Sequence, residues 1–236
     1  MTTHFTLAEL AATSLNAIRI LERHGLDYCC GGKQPLEEAC LAKGLAPDQI
    51  LREIGQAPPA VAADRDWQTA PLDELVNHIF ETHHAYLKVE LPALQARIDK
   101  VVAVHGVHDP ERLPRLAEVF AGLRRELEMH LQKEETILFP FIAQYGQAES
   151  RNHPTPPVPF GSIANPIAVM DREHTDAGDA LRQLRDLTDG YTLPGYACAT
   201  VRALYEGLKT LESDLHVHIH LENNILFPRA IALEKR

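Results

Sequence analysis

Two copies of one short pattern carry the residues of this sequence that could bind a metal. The first copy runs from His130 to Pro140 (HLQKEETILFP), and the second begins 88 residues later and runs from His218 to Pro228 (HIHLENNILFP). In each copy a histidine precedes a glutamate by four residues, so both side chains project from the same side of a helix. Imidazole nitrogens and carboxylate oxygens grouped in this way are typical ligands of a transition metal.

Apolar residues around each pair indicate that this side of the helix faces the core. They recur at helical spacing on the same stripe as the histidine and the glutamate. The two stripes are Leu116, Phe120, Leu123, Leu127, His130, Glu134 and Ile137, and Leu204, Leu208, Leu211, Leu215, His218, Glu222 and Ile225. Burial of an isolated carboxylate costs roughly several kcal/mol even after relaxation. A bound cation is therefore expected beside Glu134 and Glu222.

Two single histidines extend the repeat to two further helical patterns. His174 lies on an apolar stripe, and the equivalent stripe 90 residues earlier carries His84. The alternative, His83, shares its face with Tyr86 and Glu90, which form a poorer core. We therefore predict that His84 is the inward-facing residue.

Each half of the repeat thus contributes one single histidine and one histidine–glutamate pair. The six predicted ligands are His84, His130, Glu134, His174, His218 and Glu222. Imidazole and carboxylate ligation without thiolate favours iron or manganese, and the cores of helix bundles commonly hold two such ions bridged by carboxylates. Glu134 and Glu222 are the predicted bridges. A closed structural zinc site would use four ligands, usually including cysteines.

Three further acids lie where they could accept the outer N–H of a ligand imidazole. Glu126 and Asp214 each precede a histidine of the repeat by four residues, and Glu173 adjoins His174. Such contacts orient metal ligands, although ordinary solvated acids would give the same pattern. By contrast, His216 and His220 lie about 160° around the helix from the repeat histidine between them. We predict that both face solvent.

The helical patterns predict an all-α protein. An antiparallel four-helix bundle is expected over 71–236, preceded by a small helical domain over 1–57 and a proline-containing linker over 58–70. The four long patterns are 71–103, 111–145, 164–188 and 196–233. Thr6 and Glu9 form a capping box that predicts the first helix of the small domain, and Pro92 is expected to kink the first bundle helix.

Composition excludes several functional classes. The chain has 236 residues and a formal net charge of −10, which disfavours a nucleic-acid or anionic membrane surface. No apolar run is long enough to cross a bilayer, and the first residues lack a signal-peptide pattern. A cytoplasmic location is therefore expected.

Two adjacent cysteines mark the small domain. Cys29 and Cys30 stand in the turn Asp27-Tyr28-Cys29-Cys30-Gly31-Gly32. A buried turn pair and a reactive thiolate, activated by basic neighbours, are both compatible with this pattern. The other two cysteines, Cys40 and Cys198, are expected to be ordinary small apolar residues.

The DYCCGG turn followed by two H-x-x-x-E…ILFP segments resembles the RIC family of di-iron iron–sulfur cluster repair proteins, whose bundle is hemerythrin-like. The resemblance implies two non-haem iron ions bridged by an oxo group and two carboxylates. It places them on the same six residues and implies a functional role for Cys29 and Cys30, such as thiol exchange or iron transfer. The implied activity is repair of clusters damaged by nitric oxide or peroxide, with donation of iron to an apo-protein as one mechanism.

Two alternatives stay open at this point. Two ferrous ions with open positions could reduce nitric oxide to nitrous oxide, or the bundle could act as a sensor of oxygen or nitric oxide. The expected partners are iron–sulfur proteins or apo-cluster acceptors, with nitric oxide or dioxygen as small ligands. A homodimer is compatible with the sequence, which leaves the client and the electron donor open.

Overall fold

The computed structural model describes residues 5–57 and 65–235, and this part of the chain is helical without a named strand. The N-terminal domain begins with the predicted capping box, in which the Glu9 N–H donates to Thr6 Oγ1 and the Thr6 N–H donates to the Glu9 carboxylate. Its helices are α1 (Leu7–Ala11), α2 (Leu15–Arg23), α3 (Leu36–Lys43) and α4 (Pro47–Gln56).

Four long helices form the bundle, and three of them contain a π-helical turn. Helix α5 comprises Leu72–Ile79, the π turn Phe80–His84 and Ala85–His105; α6 comprises Arg112–Lys133, the π turn Glu134–Leu138 and Phe139–Ser150; α7 is Ala164–Leu187; α8 comprises Ala199–Leu221, the π turn Glu222–Leu226 and Phe227–Glu234. The four-helix prediction is confirmed. Helix α6 extends beyond the predicted end at 145, and α5 continues through Pro92.

The bundle core consists of two apolar clusters separated by polar side chains. One cluster contains Leu87, Phe120, Leu181 and Leu208, together with their buried neighbours. The other, towards the opposite end of the bundle, contains Leu75, Leu138, Ile167 and Phe227. The histidines and glutamates of the repeat lie between the two clusters, so both ends of the polar site are closed by hydrophobic packing.

The N-terminal domain packs against α8. Its own core includes Leu7, Tyr28 and Cys29, and Ile219 of α8 is buried in the same cluster. Gly32 allows this close approach, because an added Cβ would lie 2.6 Å from the Tyr28 carbonyl oxygen and 2.8 Å from Asn224 Oδ1. Residues 58–64 of the predicted linker lie outside the described residues, and the domain boundaries remain a prediction. No helix in the described part of the chain is long and apolar enough to cross a membrane.

Candidate metal centre

The six residues selected by the repeat converge in the middle of the bundle. They form two groups of four, in each of which the potential ligand atoms lie within 4.8 Å of one another; the groups are His84, Glu134, His218 and Glu222, and His130, Glu134, His174 and Glu222. All six residues are at most 3% exposed. Both glutamates belong to both groups, so each lies where a carboxylate bridging two ions would stand.

The π turns lie at the ligands. Glu134 and Glu222 each begin a π turn, and His84 ends the third. The wider turn is closed by an N–H donated from the fifth residue along, which is Phe139 for Glu134 and Phe227 for Glu222. In both cases a proline follows directly, and a proline inside a helix removes a donor and clashes with the preceding turn. The Phe-Pro pairs thus favour π turns, which are frequent at functional sites.

The single histidines are oriented by two residues that the sequence analysis did not identify. His84 Nδ1 lies 2.9 Å from Glu135 Oε1, and His174 Nδ1 lies 2.8 Å from Asn223 Oδ1. Glu135 and Asn223 directly follow the two glutamates shared by both groups and are 88 residues apart, so the repeat could have identified them. Hydrogen bonds of this kind fix the tautomer and the orientation of a ligand imidazole.

Glu126, Glu173 and Asp214 were each expected to accept the outer N–H of a ligand imidazole, and only Glu173 does so. Glu173 accepts a hydrogen bond from Nδ1 of His130 at 2.8 Å, and it also pairs with Lys133. Glu126 is exposed, and Glu173 has taken the position at the imidazole that was predicted for Glu126. The prediction for Glu126 is therefore wrong.

Asp214 also differs from its prediction. Its carboxylate contacts His83 Nδ1 at 2.9 Å and not the imidazole of His218. His83 is buried, and its ring lies parallel to that of His218 with centroids 5.4 Å apart. His83 occupies the repeat position equivalent to Glu173. The two halves of the site thus differ, because a stacked imidazole replaces a carboxylate.

The donor set fits metal ions. Where Nδ1–H donates outward to Glu135, Asn223 or Glu173, the inner Nε2 carries a lone pair. Nevertheless, His84 Nε2 and His218 Nε2 are 3.2 Å apart, and His174 Nε2 and His130 Nε2 are 3.1 Å apart. Both oxygens of Glu134 are buried without a hydrogen-bond partner among the described residues. Lone pairs and carboxylates that face one another at this distance are stabilised by positive charge between them, which bound metal ions or protons on the imidazoles can supply.

The pKa values of the ligands show how the chain balances this charge without metal. Burial opposes the charged form of His130, but the adjacent Glu134 raises the pKa of that imidazole to about 9. Burial likewise raises the pKa of Glu222, yet His218 and His174 outweigh it and hold that pKa well below its usual range. Protons on the imidazoles therefore compete with metal ions for the same carboxylates.

The prediction that His216 and His220 face solvent is wrong. His220 is 1% exposed, and its ring packs edge-on against Tyr28 with centroids 5.5 Å apart. His216 is partly buried and also contacts the Tyr28 ring. They do face away from the metal ligands, but the N-terminal domain covers that side of α8. Burial lowers the pKa of His220 to about 4, which keeps its imidazole neutral.

The adjacent cysteines lie next to the metal site. Cys29 Sγ is 3.2 Å from Asp27 Oδ1 and 3.9 Å from Cys30 Sγ, and Cys30 Sγ is 3.5 Å from the carbonyl oxygen of His174. The hydrogen bond to Cys30 and burial raise the pKa of Cys29, whereas receipt of that hydrogen bond lowers the pKa of Cys30. The pair is not a disulfide.

The remaining two cysteines differ from each other. Cys40 is fully buried, in agreement with a small apolar role. Cys198 is exposed, and its Sγ lies 3.3 Å from His105 Nε2, so the expectation for this residue is wrong. A backbone hydrogen bond from Val201 and the contact with His105 lower the pKa of the thiol to about 7.

A cavity of about 230 Å³ opens beside the ligands. It reaches three of the histidines, and its walls are largely apolar; they include Leu127, His130, His174, Ala177, Leu215, His218 and Ile219. Lys133 and Glu173, which are paired, also line it. The cavity would admit a small gas molecule to the inner face of the site.

Comparison with known proteins gives two family matches and close relatives. The Hemerythrin HHE cation binding domain family matches residues 75–230, and a domain of unknown function, DUF542, matches residues 3–58. The chain is 41% identical to the iron-sulfur cluster repair protein YtfE of Enterobacter sp. (strain 638), and 40% identical to that of Citrobacter koseri. The YtfE protein of Escherichia coli O81 is 39% identical. Each match covers 97% of both chains.

Proposed function

We propose a function that proceeds from one premise: the chain belongs to the hemerythrin HHE cation-binding family, in the group that contains the iron–sulfur cluster repair proteins YtfE. The protein repairs iron–sulfur clusters damaged by nitrosative or oxidative stress, and it does so by donating iron to cluster-deficient proteins. The observation that carries this proposal is the pair of buried four-residue groups that share Glu134 and Glu222. Buried histidines and glutamates of this kind suit a non-haem di-iron site.

The six residues would hold two iron ions. His84 and His218 would hold one ion and His130 and His174 the other, and Glu134 and Glu222, which belong to both groups, would be shared between the two ions. The proposed cofactor also includes an oxo group. Bound iron supplies redox chemistry and a store of metal that can be transferred. Glu135, Asn223 and Glu173 hold three of the imidazoles with Nε2 turned inward. These contacts keep the site assembled while its charge changes.

The cysteine turn would receive the iron that leaves. Cys30 Sγ contacts the backbone carbonyl of the ligand His174, so a thiol lies directly behind one ligand-bearing turn. Asp27, Cys29 and Cys30 themselves form a third group whose ligand atoms lie within 4.8 Å, and this group is less buried than the bundle site. A site made of imidazoles and carboxylates holds ferrous iron less tightly than ferric iron, so reduction would loosen the metal. Reduction followed by capture at the thiols would therefore move iron outward.

Iron transfer tests the proposal directly. The full iron-loaded chain is reduced anaerobically and mixed with an apo iron–sulfur protein, sulfide and a thiol, and cluster formation is followed by absorbance and by enzyme activity of the acceptor. We expect faster cluster formation than from the same amount of a ferrous iron chelate. Cys30→Ser should slow transfer without lowering iron content, whereas Cys40→Ser, which changes a buried thiol away from the turn, should leave transfer unchanged. Absence of transfer from the reduced protein would overturn the donor function.

The apolar cavity favours a second function, the binding and reduction of nitric oxide. It gives a diatomic gas access to the side of the site formed by His130, His174 and His218. Headspace detection of nitrous oxide during anaerobic turnover distinguishes this activity from iron donation. Leu215→Trp, which fills the cavity, should slow gas binding while leaving iron transfer intact.

A further inference from the structure

A second and larger cleft lies between the N-terminal domain and the bundle. Its volume is about 690 Å³, and its walls come from α2, the cysteine turn, α3, α7 and α8. This size is within the range of about 300–1,000 Å³ typical of small-molecule sites. The cleft is separate from the six histidines and glutamates of the candidate metal centre, none of which lines it.

The cleft is basic although the chain as a whole is acidic. Six basic and three acidic residues line it, in a protein of formal net charge −10. The basic residues are Arg19, Arg23, Lys43, Arg182, Arg185 and Lys209. Such a local reversal of charge attracts anions and concentrates them at the cleft.

Part of this positive charge is not neutralised by the protein. Arg185 donates two hydrogen bonds to the carboxylate of Glu212, so these two charges neutralise each other and neither is available to a ligand. In the described part of the chain, no carboxylate lies within ion-pair distance of Arg19, Lys43 or Lys209. Two of these side chains belong to the N-terminal domain and one to α8. Cations therefore face the cleft from both sides and are available to an anionic ligand.

Sulfur is the second chemical feature of the same cleft. Cys29 and Cys30 both line it, and Cys30 is the more exposed of the two. A ligand that matches the cleft thus carries carboxylates, which pair with the basic residues, and a group that can react with the thiols of Cys29 and Cys30. A simple inorganic anion matches only the first requirement.

We propose that this cleft binds an anionic low-molecular-weight thiol, meaning a small peptide or acid with at least two carboxylates and one sulfhydryl, and positions its sulfur at Cys30. Binding does not require iron in the bundle and therefore does not depend on the donor function. The disulfide form of such a ligand would react there. The Cys30 thiolate attacks one sulfur, a Cys30–ligand disulfide forms, the original S–S bond breaks and the second half leaves as a thiolate; the Cys30 sulfur is oxidised and the departing sulfur is reduced.

The test compares two disulfides that differ in charge. The full iron-loaded chain is treated with glutathione disulfide, which is anionic, or with hydroxyethyl disulfide, which is neutral, and the mixed disulfides are quantified by peptide mass spectrometry. We expect a preference of about tenfold for the anionic reagent at Cys30, consistent with several weak ion pairs acting together. The double variant Lys43→Glu, Lys209→Glu should abolish this preference. Lys100→Glu, an exposed charge reversal outside the cleft, should retain it.

Cys198 provides an internal control in every sample. It is exposed and lies outside the cleft. The ratio of its rates with the anionic and the neutral disulfide should therefore not respond to the double variant. Equal rates of Cys30 with the two reagents, or a preference that survives the double variant, would overturn the proposal and leave the cleft to another occupant, such as an acidic protein surface. If propane-1,2,3-tricarboxylate protected Cys30 as well as reduced glutathione, the cleft would recognise carboxylates alone and the thiol assignment would fail.

Discussion

Replacement of Glu222 by glutamine should weaken both metal positions, because this carboxylate belongs to both groups of ligands. Each group would fall from four protein ligands to three, and one of the two buried negative charges would be lost. Substitution of a residue that merely orients a ligand commonly costs 10- to 100-fold in metal affinity. The loss of a direct, charged ligand should therefore exceed about 100-fold for each ion.

His174→Ala gives the contrasting result. His174 belongs to only one group, so one iron should become weakly bound while the other is retained. Increasing concentrations of a ferrous chelator, with iron per chain measured after desalting, distinguish these outcomes. The Glu222→Gln protein should lose about two irons at chelator levels that leave about one iron on His174→Ala and two on the wild type.

Glu212→Gln is the matched control for this experiment. Glu212 is a buried carboxylate on the same helix, 5% exposed, but it pairs with Arg185 outside the metal centre. This variant should retain both irons, and circular dichroism should show that all three variants keep their helical content. Full retention of iron by Glu222→Gln would refute the bridging assignment. Loss of both irons from His174→Ala would refute the division into two groups.

Three further predictions follow from contacts around the centre. Glu135→Ala removes the partner of His84 Nδ1 and should weaken iron binding by about 10- to 100-fold at one position, measured by chelator competition. Iron binding should release protons, and the affinity for iron should fall as pH falls from about 9. The neighbouring carboxylate raises the pKa of His130 to about 9, and the protonated imidazole cannot bind metal. Calorimetry in buffers of different ionisation enthalpy measures the released protons. Asn224→Ala removes the side-chain amide that contacts two carbonyl oxygens of the cysteine turn at 3.1 and 3.2 Å, and it should lower the free energy of unfolding by about 1–3 kcal/mol in urea titrations, with iron content unchanged.

The convergence of the six candidate ligands could be predicted because two constraints act on the same residues. An apolar stripe defines the buried face, and the internal repeat selects the same positions in each half. The choice of His84 over His83 rested on this repeat, and the structure places His84 in the cluster. His83 is nonetheless buried, since it packs against His218 and pairs with Asp214. Helical spacing alone cannot distinguish a residue inside the cluster from one stacked behind it.

The burial of His216 and His220 could not be predicted from one helix. Their position opposite the ligands is correct, but burial depends on which other element covers that side. Val217 and Ile219, which flank His218 and contact the N-terminal core, are the apolar residues that could have indicated a second covered face. The outer partners were missed for a related reason. Glu135 and Asn223 directly follow Glu134 and Glu222. A regular helix would turn their side chains away from the neighbouring histidines, whereas a π turn changes that direction.

The π turn that begins at Glu222 assigns three consecutive side chains to three different parts of the molecule. Glu222 enters the metal centre, Asn223 supports an imidazole of α7, and Asn224 contacts the carbonyl groups beside the two cysteines. A single widened turn of backbone thus connects the candidate metal centre to the turn that carries Cys29 and Cys30. The residue of the metal centre and the residue that contacts the cysteine turn are therefore only two positions apart along the chain.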